Sequence, residues 1–259
     1  MVFRPKGIRG GAIGNDTTLP LDAPLELITD GAGVLFSNRT AHQHRGCKHT
    51  EKKSHAFHAR IIKKCLSMAM LIPPQELLEL YAQGWFPMAM EDGSIRCFSP
   101  DPRGIIPLET FHVPHGTRKT LRDPLWEVRV DTCFEKVMRT CGEREETWID
   151  ETLVQSYLAL HRLGQAHSLE IWREGELAGG LYGVRMGAAF FGESMFHTVS
   201  GASKVALVRL VERLQAGGFR LLDTQWLTPH LVQFGAVEIP RRDYLKKLRE
   251  ALGEDARFD

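Results

Sequence analysis

Three apolar segments separated by short turns constrain the fold of this chain more than any other part of its sequence. Residues 168–173 (SLEIWR), 176–184 (ELAGGLYGV) and 188–196 (AAFFGESMF) each alternate, in part, between apolar and polar side chains. Turn-forming residues stand between them at positions 174–175 and 185–187. Segments of this length and spacing predict an antiparallel meander of three strands.

The residues after the meander predict a helix and a further strand. Leu207, Leu210, Val211 and Leu214 recur at the spacing of one helix face, and a pair of glycines follows as a stop signal. The next segment, FRLLDTQ, contains an apolar pair that indicates a strand buried on both faces. Three strands, a helix and a further strand is the core order of the acetyltransferase (GNAT-type) fold. The predicted fold class is therefore mixed α/β (α+β).

The predicted compact fold begins near Ile72. There Pro73-Pro74 precede a short helix, QELLELYA, that ends at Gly84, and turns and short strands follow it. Longer helices are predicted over about 150–163 and 241–252. Residues before the fold contain six glycines before position 34 and show weak periodicity. Such a segment buries little apolar surface for the entropy that it would lose on ordering, so we expect it to be disordered.

Composition and charge exclude several classes of protein. No apolar run approaches the roughly 20 residues that a membrane helix needs, and the first residues lack a secretory signal, so a cytoplasmic protein is expected. The net charge of +1 means that a nucleic-acid partner would need a local basic patch. The five cysteines form no CxxC pair, and the histidines fit no standard metal site, so no metal is expected.

Two carboxylates inside apolar strands are the candidates for chemistry. Glu193 interrupts FFGESMF, and Asp223 interrupts LLDTQ with Gln225 two positions further on. A carboxylate in such a strand must be solvated, paired or used. Residues two apart on a regular strand share a face, which predicts that Asp223 and Gln225 point the same way. The alternative is structural, with both carboxylates bonded to backbone groups or to an arginine.

Eight short motifs give the sequence a resemblance to a known family. They are YAQGWFPM (81–88), FSPDPRG (98–104), TWID (147–150), HSLEIW (167–172), GGLYGV (179–184), FGESMF (191–196), LLDTQ (221–225) and GAVEIPRRDY (235–244). Together, and in this order, they resemble the leucyl/phenylalanyl-tRNA-protein transferases over residues 72–250. The resemblance implies a GNAT-like acyltransferase domain at the C-terminus beside a smaller N-terminal domain. The chain then divides into an extension (1–65), a small domain (66–130) and a catalytic domain (131–254).

The resemblance also implies a reaction and its partners. The donor is aminoacyl-tRNA carrying Leu, Phe or Met, and the acceptors are proteins that begin with Arg or Lys, which the product marks for N-end rule degradation. No cofactor and no membrane are implied, and a monomer is expected. The rival enzyme is a CoA-dependent N-acetyltransferase on the same fold, but residues 198–203 (TVSGAS) depart from the pyrophosphate-binding motif Q/R-x-x-G-x-G/A. A non-catalytic module that binds aminoacyl-tRNA or a peptide is the other alternative.

Site residues follow from the resemblance, position by position. Asp223 and Gln225 are implied as catalytic residues that position the attacking amine, and Glu193 as the group that binds the donor's α-ammonium. The apolar donor pocket is implied at Leu181, Gly192, Met195, Leu207, Leu210, Leu214 and Leu222. The site of the terminal adenosine and the acceptor is implied at Tyr81, Met88, Trp148 and Tyr157. Contacts to tRNA are implied at His112, His115, Arg118, Lys119 and Arg122, with Arg241 and Arg242 as a second candidate.

Overall fold

The structure, a computed structural model, describes residues 27–30, 33–36 and 71–258 of the 259-residue chain. The strands in these residues are β1 (Leu27–Asp30), β2 (Gly33–Phe36), β3 (Phe86–Ala89), β4 (Ile95–Phe98), β5 (Arg103–Ile106), β6 (Trp126–Val130), β7 (Ala166–Arg173), β8 (Glu176–Met186), β9 (Ala189–His197), β10 (Leu221–Gln225) and β11 (Val237–Ile239). The helices are α1 (Pro74–Ala82), α2 (His115–Leu121), α3 (Phe134–Gly142), α4 (Glu151–Arg162), α5 (Ala202–Ala216), α6 (Pro229–Val232) and α7 (Arg241–Leu252). The fold is mixed α/β, as the sequence predicts.

A seven-stranded sheet in the order β11-β5-β10-β9-β8-β7-β6 forms the centre of the fold. Adjacent strands in this sheet pair antiparallel, except for β9 and β10, which pair parallel. The predicted meander is confirmed as β7, β8 and β9. Its second turn lies at Gly187 and Ala188, later than predicted, because β8 continues to Met186 and Gly187 takes the positive φ of +52° that the turn requires.

The large sheet takes strands from both sides of residue 130. β5 and β6 come from the range predicted as a small N-terminal domain, while β7 to β11 come from the predicted catalytic domain. The division at residue 130 stays a prediction. Within the predicted extension, the structure describes β1 paired antiparallel with β2. The other residues of that extension lie outside the described ranges.

Helix α5 packs closely against the meander. The predicted face of Leu207, Leu210, Val211 and Leu214 is buried, as periodicity indicates. The first turn of α5 lies so near β8 that a Cβ atom on Gly179 would stand 2.7 Å from the Cβ of Ala202. Only glycine fits there, and the close approach sets the position of α5 over the sheet.

The parallel pair β9 and β10 separates after three residues of contact. Leu221, Leu222 and Asp223 pair with β9 at positions 189–191, and the pairing ends there although both strands continue. The two strands therefore enclose a wedge-shaped opening in the middle of the sheet. No helix in residues 71–258 is long and apolar enough to cross a membrane.

Candidate functional site

The wedge between β9 and β10 contains a narrow apolar pocket. Six of the seven residues predicted for the donor pocket line it: Leu181, Gly192, Met195, Leu207, Leu210 and Leu222. The seventh, Leu214, is fully buried in the core behind them. Sequence reasoning did not identify the remaining wall, which comes from Tyr182, Ser194, Thr224 and Leu231. Glu193 also lines the pocket and is its one carboxylate.

The pocket is small for the side chains proposed to enter it. The space open to the centre of a water molecule is about 30 Å³, which is enough for about two waters. A leucine or phenylalanine side chain is larger than this space, so its fit depends on the open side of the pocket and on movement of the wall. Met195 is half-buried and unbranched, so it is the wall residue most able to change rotamer.

Glu193 is surrounded by hydroxyl donors. Its Oε1 accepts a hydrogen bond of 2.7 Å from the hydroxyl of Tyr81, and its Oε2 accepts one of 3.2 Å from Tyr157. These two tyrosines also hydrogen-bond to each other. Burial raises the pKa of the Glu193 carboxyl from 4.5 to about 8; the Tyr81 hydroxyl opposes this rise, and the negative charge of Asp223 adds to it. The site therefore holds a carboxyl group whose protonation state responds to a nearby cation.

Gln225 adopts an unusual backbone conformation beside Glu193. Its φ is +60°, in the left-handed region that non-glycine residues rarely occupy, and the pairing register of β10 shifts between Asp223 and Gln225. Regular alternation is therefore interrupted at this point. The Gln225 Nε2 donates to Oε1 of Glu193 at 3.3 Å. Its Oε1 is buried and accepts no hydrogen bond from the described residues.

Asp223 forms a fully buried ion pair with Arg103. The guanidinium Nε and Nη2 donate to the two carboxylate oxygens at 3.0 and 2.7 Å, and both side chains have 0% exposure. Tyr244 donates its hydroxyl to the same carboxylate at 2.8 Å. The structural alternative, pairing with an arginine, is thus present at Asp223. Sequence reasoning missed Arg103 and Tyr244, although an arginine at the start of the apolar segment RGII is a signal of a buried partner.

The four residues predicted to form the site of the terminal adenosine and the acceptor fall into two groups. Tyr81 and Tyr157 reach the site through Glu193. Met88 in β3 and Trp148 are also buried. The two lie near each other in the fold, since the N–H of Ala89, next to Met88, donates to the carbonyl of Trp148 at 3.0 Å. Neither of these two lines the wedge pocket.

The predicted tRNA contacts lie on α2 and in the segments that flank it. His112, His115, Arg118, Lys119 and Arg122 are all exposed, and a shallow groove of about 490 Å³ adjoins them. The groove is lined by Phe111, His112, Val113, Arg118, Leu121 and Arg122.

The second basic candidate is different in character. Arg241 donates from its guanidinium to the carbonyl of Ser99 at 2.9 Å, while Arg242 is exposed and paired with Asp243. Arg241 therefore has a structural contact, whereas the α2 residues face solvent.

Comparison with known proteins agrees with these observations. The family model described as leucyl/phenylalanyl-tRNA protein transferase matches residues 105–249, and the model of its N-terminal domain matches residues 70–101. A leucyl/phenylalanyl-tRNA–protein transferase of Paramagnetospirillum magneticum is 56% identical over 189 residues, which cover 71% of this chain and 90% of the relative. One of Herpetosiphon aurantiacus is 53% identical over 192 residues, covering 74% of this chain and 100% of the relative.

Similarity to solved structures is more distant. The match to the structure of L-PGS from Bacillus licheniformis covers 79% of this chain and 78% of that one, at 12% identity and a TM-score of 0.38. The two family models together span most of residues 70–249. The chain belongs to the leucyl/phenylalanyl-tRNA protein transferase family.

Proposed function

We propose that this chain transfers leucine, phenylalanine or methionine from aminoacyl-tRNA to acceptor proteins that begin with Arg or Lys. The observation that carries the proposal is an apolar pocket that adjoins a buried carboxyl, Glu193, with the amide of Gln225 beside it. The pocket suits an apolar side chain, and the polar pair suits the ammonium and amine groups of the two substrates. The product would be marked for N-end rule degradation in the cytoplasm, where charged tRNA is found.

We infer a GNAT-like architecture for the C-terminal part of the chain. Support comes from the element order β7, β8, β9, α5, β10 and from the parallel β9–β10 pair that separates into a wedge. The smaller N-terminal unit, 66–130, would then contribute β5 and β6 to the edges and interior of the same sheet.

The donor is proposed to bind with its side chain in the wedge. Leu181, Leu207 and Leu210 offer apolar contact, and each buried methylene contributes about 0.8 kcal/mol. The donor's α-ammonium would then lie against Glu193. A cation at that point lowers the pKa of the Glu193 carboxyl from its raised value, so donor binding and ionisation of Glu193 are coupled.

The reaction is aminolysis of an ester. The acceptor's α-amine nitrogen attacks the ester carbonyl carbon, an amide bond forms, and the ribose oxygen leaves with a proton that originates from the amine. A free α-amine has a pKa of about 8, so a neutral fraction is present near pH 7 without a strong base. The protein therefore acts mainly by holding amine and ester together, an effect that can contribute about 7 kcal/mol. We assign the unpartnered Oε1 of Gln225 as the acceptor for an amine N–H.

One assay tests this function against its alternatives. The protein is incubated with a peptide that begins with Arg and with either labelled Leu-tRNA or labelled acetyl-CoA. We expect the leucyl label on the peptide and no acetyl label. Acetyl transfer would support the N-acetyltransferase, whereas binding of Leu-tRNA without any transfer would support a non-catalytic module.

Enlarging Met195 should change donor preference. In the Met195→Trp variant the indole fills the pocket, so transfer of Phe should fall about tenfold more than transfer of Leu. Both rates are measured with matched Phe-tRNA and Leu-tRNA. Met186→Trp, at the C-terminal end of β8 and outside the pocket lining, serves as the control and should keep the wild-type ratio. An unchanged ratio in Met195→Trp would count against the pocket.

Charge reversal on α2 should weaken tRNA binding. The double variant Arg118→Glu with Lys119→Glu loses two phosphate contacts, so the slope of log affinity against log salt should fall in magnitude by about 2. The measurement is tRNA binding from 50 to 200 mM salt. Reversal of two other exposed arginines, Arg162 and Arg249, is the matched control. Equal effects of the two double variants would assign the change to net charge and remove the α2 site.

A further inference from the structure

We propose that Arg103 and Tyr244 are positioning residues for the transfer reaction, which hold Asp223 and, through it, the left-handed backbone of Gln225. In this arrangement Asp223 fixes geometry and does not accept a proton from the substrate. The inference rests on the proposed function. It assigns roles to two residues that lie outside the apolar pocket and do not touch the substrates.

All the acceptor capacity of Asp223 is used inside the protein. Its Oδ1 accepts from Arg103 Nε at 3.0 Å and from the backbone N–H of Gln225 at 2.9 Å. Its Oδ2 accepts from Arg103 Nη2 at 2.7 Å and from the Tyr244 hydroxyl at 2.8 Å. A carboxylate has about four lone-pair sites, and these four donors occupy them. Asp223 therefore has no lone pair left for an incoming amine, whereas the buried Oε1 of Gln225 accepts no hydrogen bond from the described residues.

The hydrogen bond that the Gln225 backbone N–H donates to Asp223 explains how a strained residue persists. A glutamine with φ of +60° is energetically unfavourable and remains in place only when its surroundings fix it. The N–H of Gln225 is fixed by Asp223, whose orientation is fixed in turn by the fork of Arg103. Without that support β10 would return to regular strand geometry, which would move the Gln225 amide away from Glu193.

Arg103 is itself held from several directions. Its Nη1 donates to the carbonyl of Gly84 at 2.9 Å, and its guanidinium lies 5.0 Å from the ring centre of Phe86 and 4.5 Å from that of Tyr244. Gly84 also donates its N–H to the carbonyl of Tyr81, the residue that binds Glu193. The same group of contacts therefore aligns both polar members of the site, Gln225 from one side and Glu193 from the other.

A double-mutant cycle between Tyr244→Phe and Gln225→Met tests the proposal. Tyr244→Phe removes one hydroxyl and leaves the buried ion pair intact. We expect its kcat to fall by about tenfold because misplaced reacting groups lose rate, with KM for donor and acceptor changed by less than about twofold. In the Gln225→Met background, where the amide is already gone, Tyr244→Phe should cause no further loss.

The pH profile separates positioning from general-base catalysis. If Asp223 only positions Gln225, the apparent pKa values of kcat/KM stay where they are in Tyr244→Phe and only the height of the profile falls. If Asp223 titrates as the base, losing a hydroxyl donor moves the acid limb to higher pH, because the hydrogen bond favours the carboxylate. A moved limb, an unchanged kcat, or additive effects in the cycle would each overturn the inference.

A control separates this role from simple loss of stability. Val137→Ala removes two buried methyl groups from α3, outside the site, and should lower thermal stability while kcat is retained. Failure of the proposed function has a different signature, since the wild-type protein would then transfer no aminoacyl group. An active wild type with an unaffected Tyr244→Phe variant would refute the positioning role alone.

Discussion

Replacing Asp223 by alanine is expected to lower kcat/KM for aminoacyl transfer by about 10²-fold or more, because Gln225 loses the acceptor that fixes its backbone. The same change leaves the guanidinium of Arg103 buried without its counter-ion. Removing one partner of a buried ion pair costs about 3–5 kcal/mol of the free energy of unfolding. Transfer kinetics and thermal unfolding of the same preparation measure the two effects. A soluble, folded Asp223→Ala variant with full activity would refute the assignment of Asp223 to the site.

A second variant separates the catalytic loss from the loss of stability. The double change Arg103→Met with Asp223→Leu replaces both buried charges by apolar groups, which is often neutral or stabilising. We therefore expect most of the lost stability to return while transfer stays low. Activity that returned along with stability would show that the ion pair matters only for folding.

Most substitutions lower the stability of a protein. Replacing Glu193 by glutamine is instead expected to raise the free energy of unfolding at high pH. The folded-state pKa of the Glu193 carboxyl, about 8, lies above its ordinary value of 4.5, so the folded protein retains a proton that the unfolded chain releases. The stability associated with that proton is complete below about pH 4.5 and is lost as the pH rises to about 8. At pH 8 to 9, Glu193→Gln should therefore be more stable than the wild type, by up to about 4 kcal/mol.

The measurement is urea unfolding of both proteins between pH 5 and 9. Their difference in unfolding free energy should grow with pH and level off near the folded-state pKa. Glu238→Gln, at an exposed position of β11, should differ from the wild type by less than about 0.5 kcal/mol throughout. A Glu193→Gln variant that is less stable at every pH would mean that the carboxyl is ionised and favourably paired. Transfer should fall in this variant, because glutamine offers no charge to the donor's ammonium.

The parts of the fold that periodicity could predict are those built from local sequence. The meander, α5 and α7 were predicted because their apolar spacing is set within ten to fifteen neighbouring residues. β5 and β11 are four and three residues long and pair with strands distant in sequence, so no local pattern marks their place in the sheet. The separation of β9 from β10 is likewise a property of tertiary structure.

The same distinction applies to the site. Glu193 and Asp223 could be identified because a carboxylate in an apolar strand requires a reason. The partner of Asp223 could not, because Arg103 lies 120 positions away and its ion pair depends on how β5 joins the sheet. The left-handed conformation of Gln225 was also missed, since glutamine carries no local signal for a positive φ.

The placement of β5 has a consequence for the way this protein can be divided. β5 lies between β10 and β11 and forms hydrogen bonds with both. A fragment that begins at residue 131 would expose the backbone of β10 as a free sheet edge, which invites association with other chains. It would also lack the arginine that neutralises Asp223. The first third of the described fold is thus a structural component of the transfer centre, and truncation studies should keep the chain from residue 71 onward in one piece.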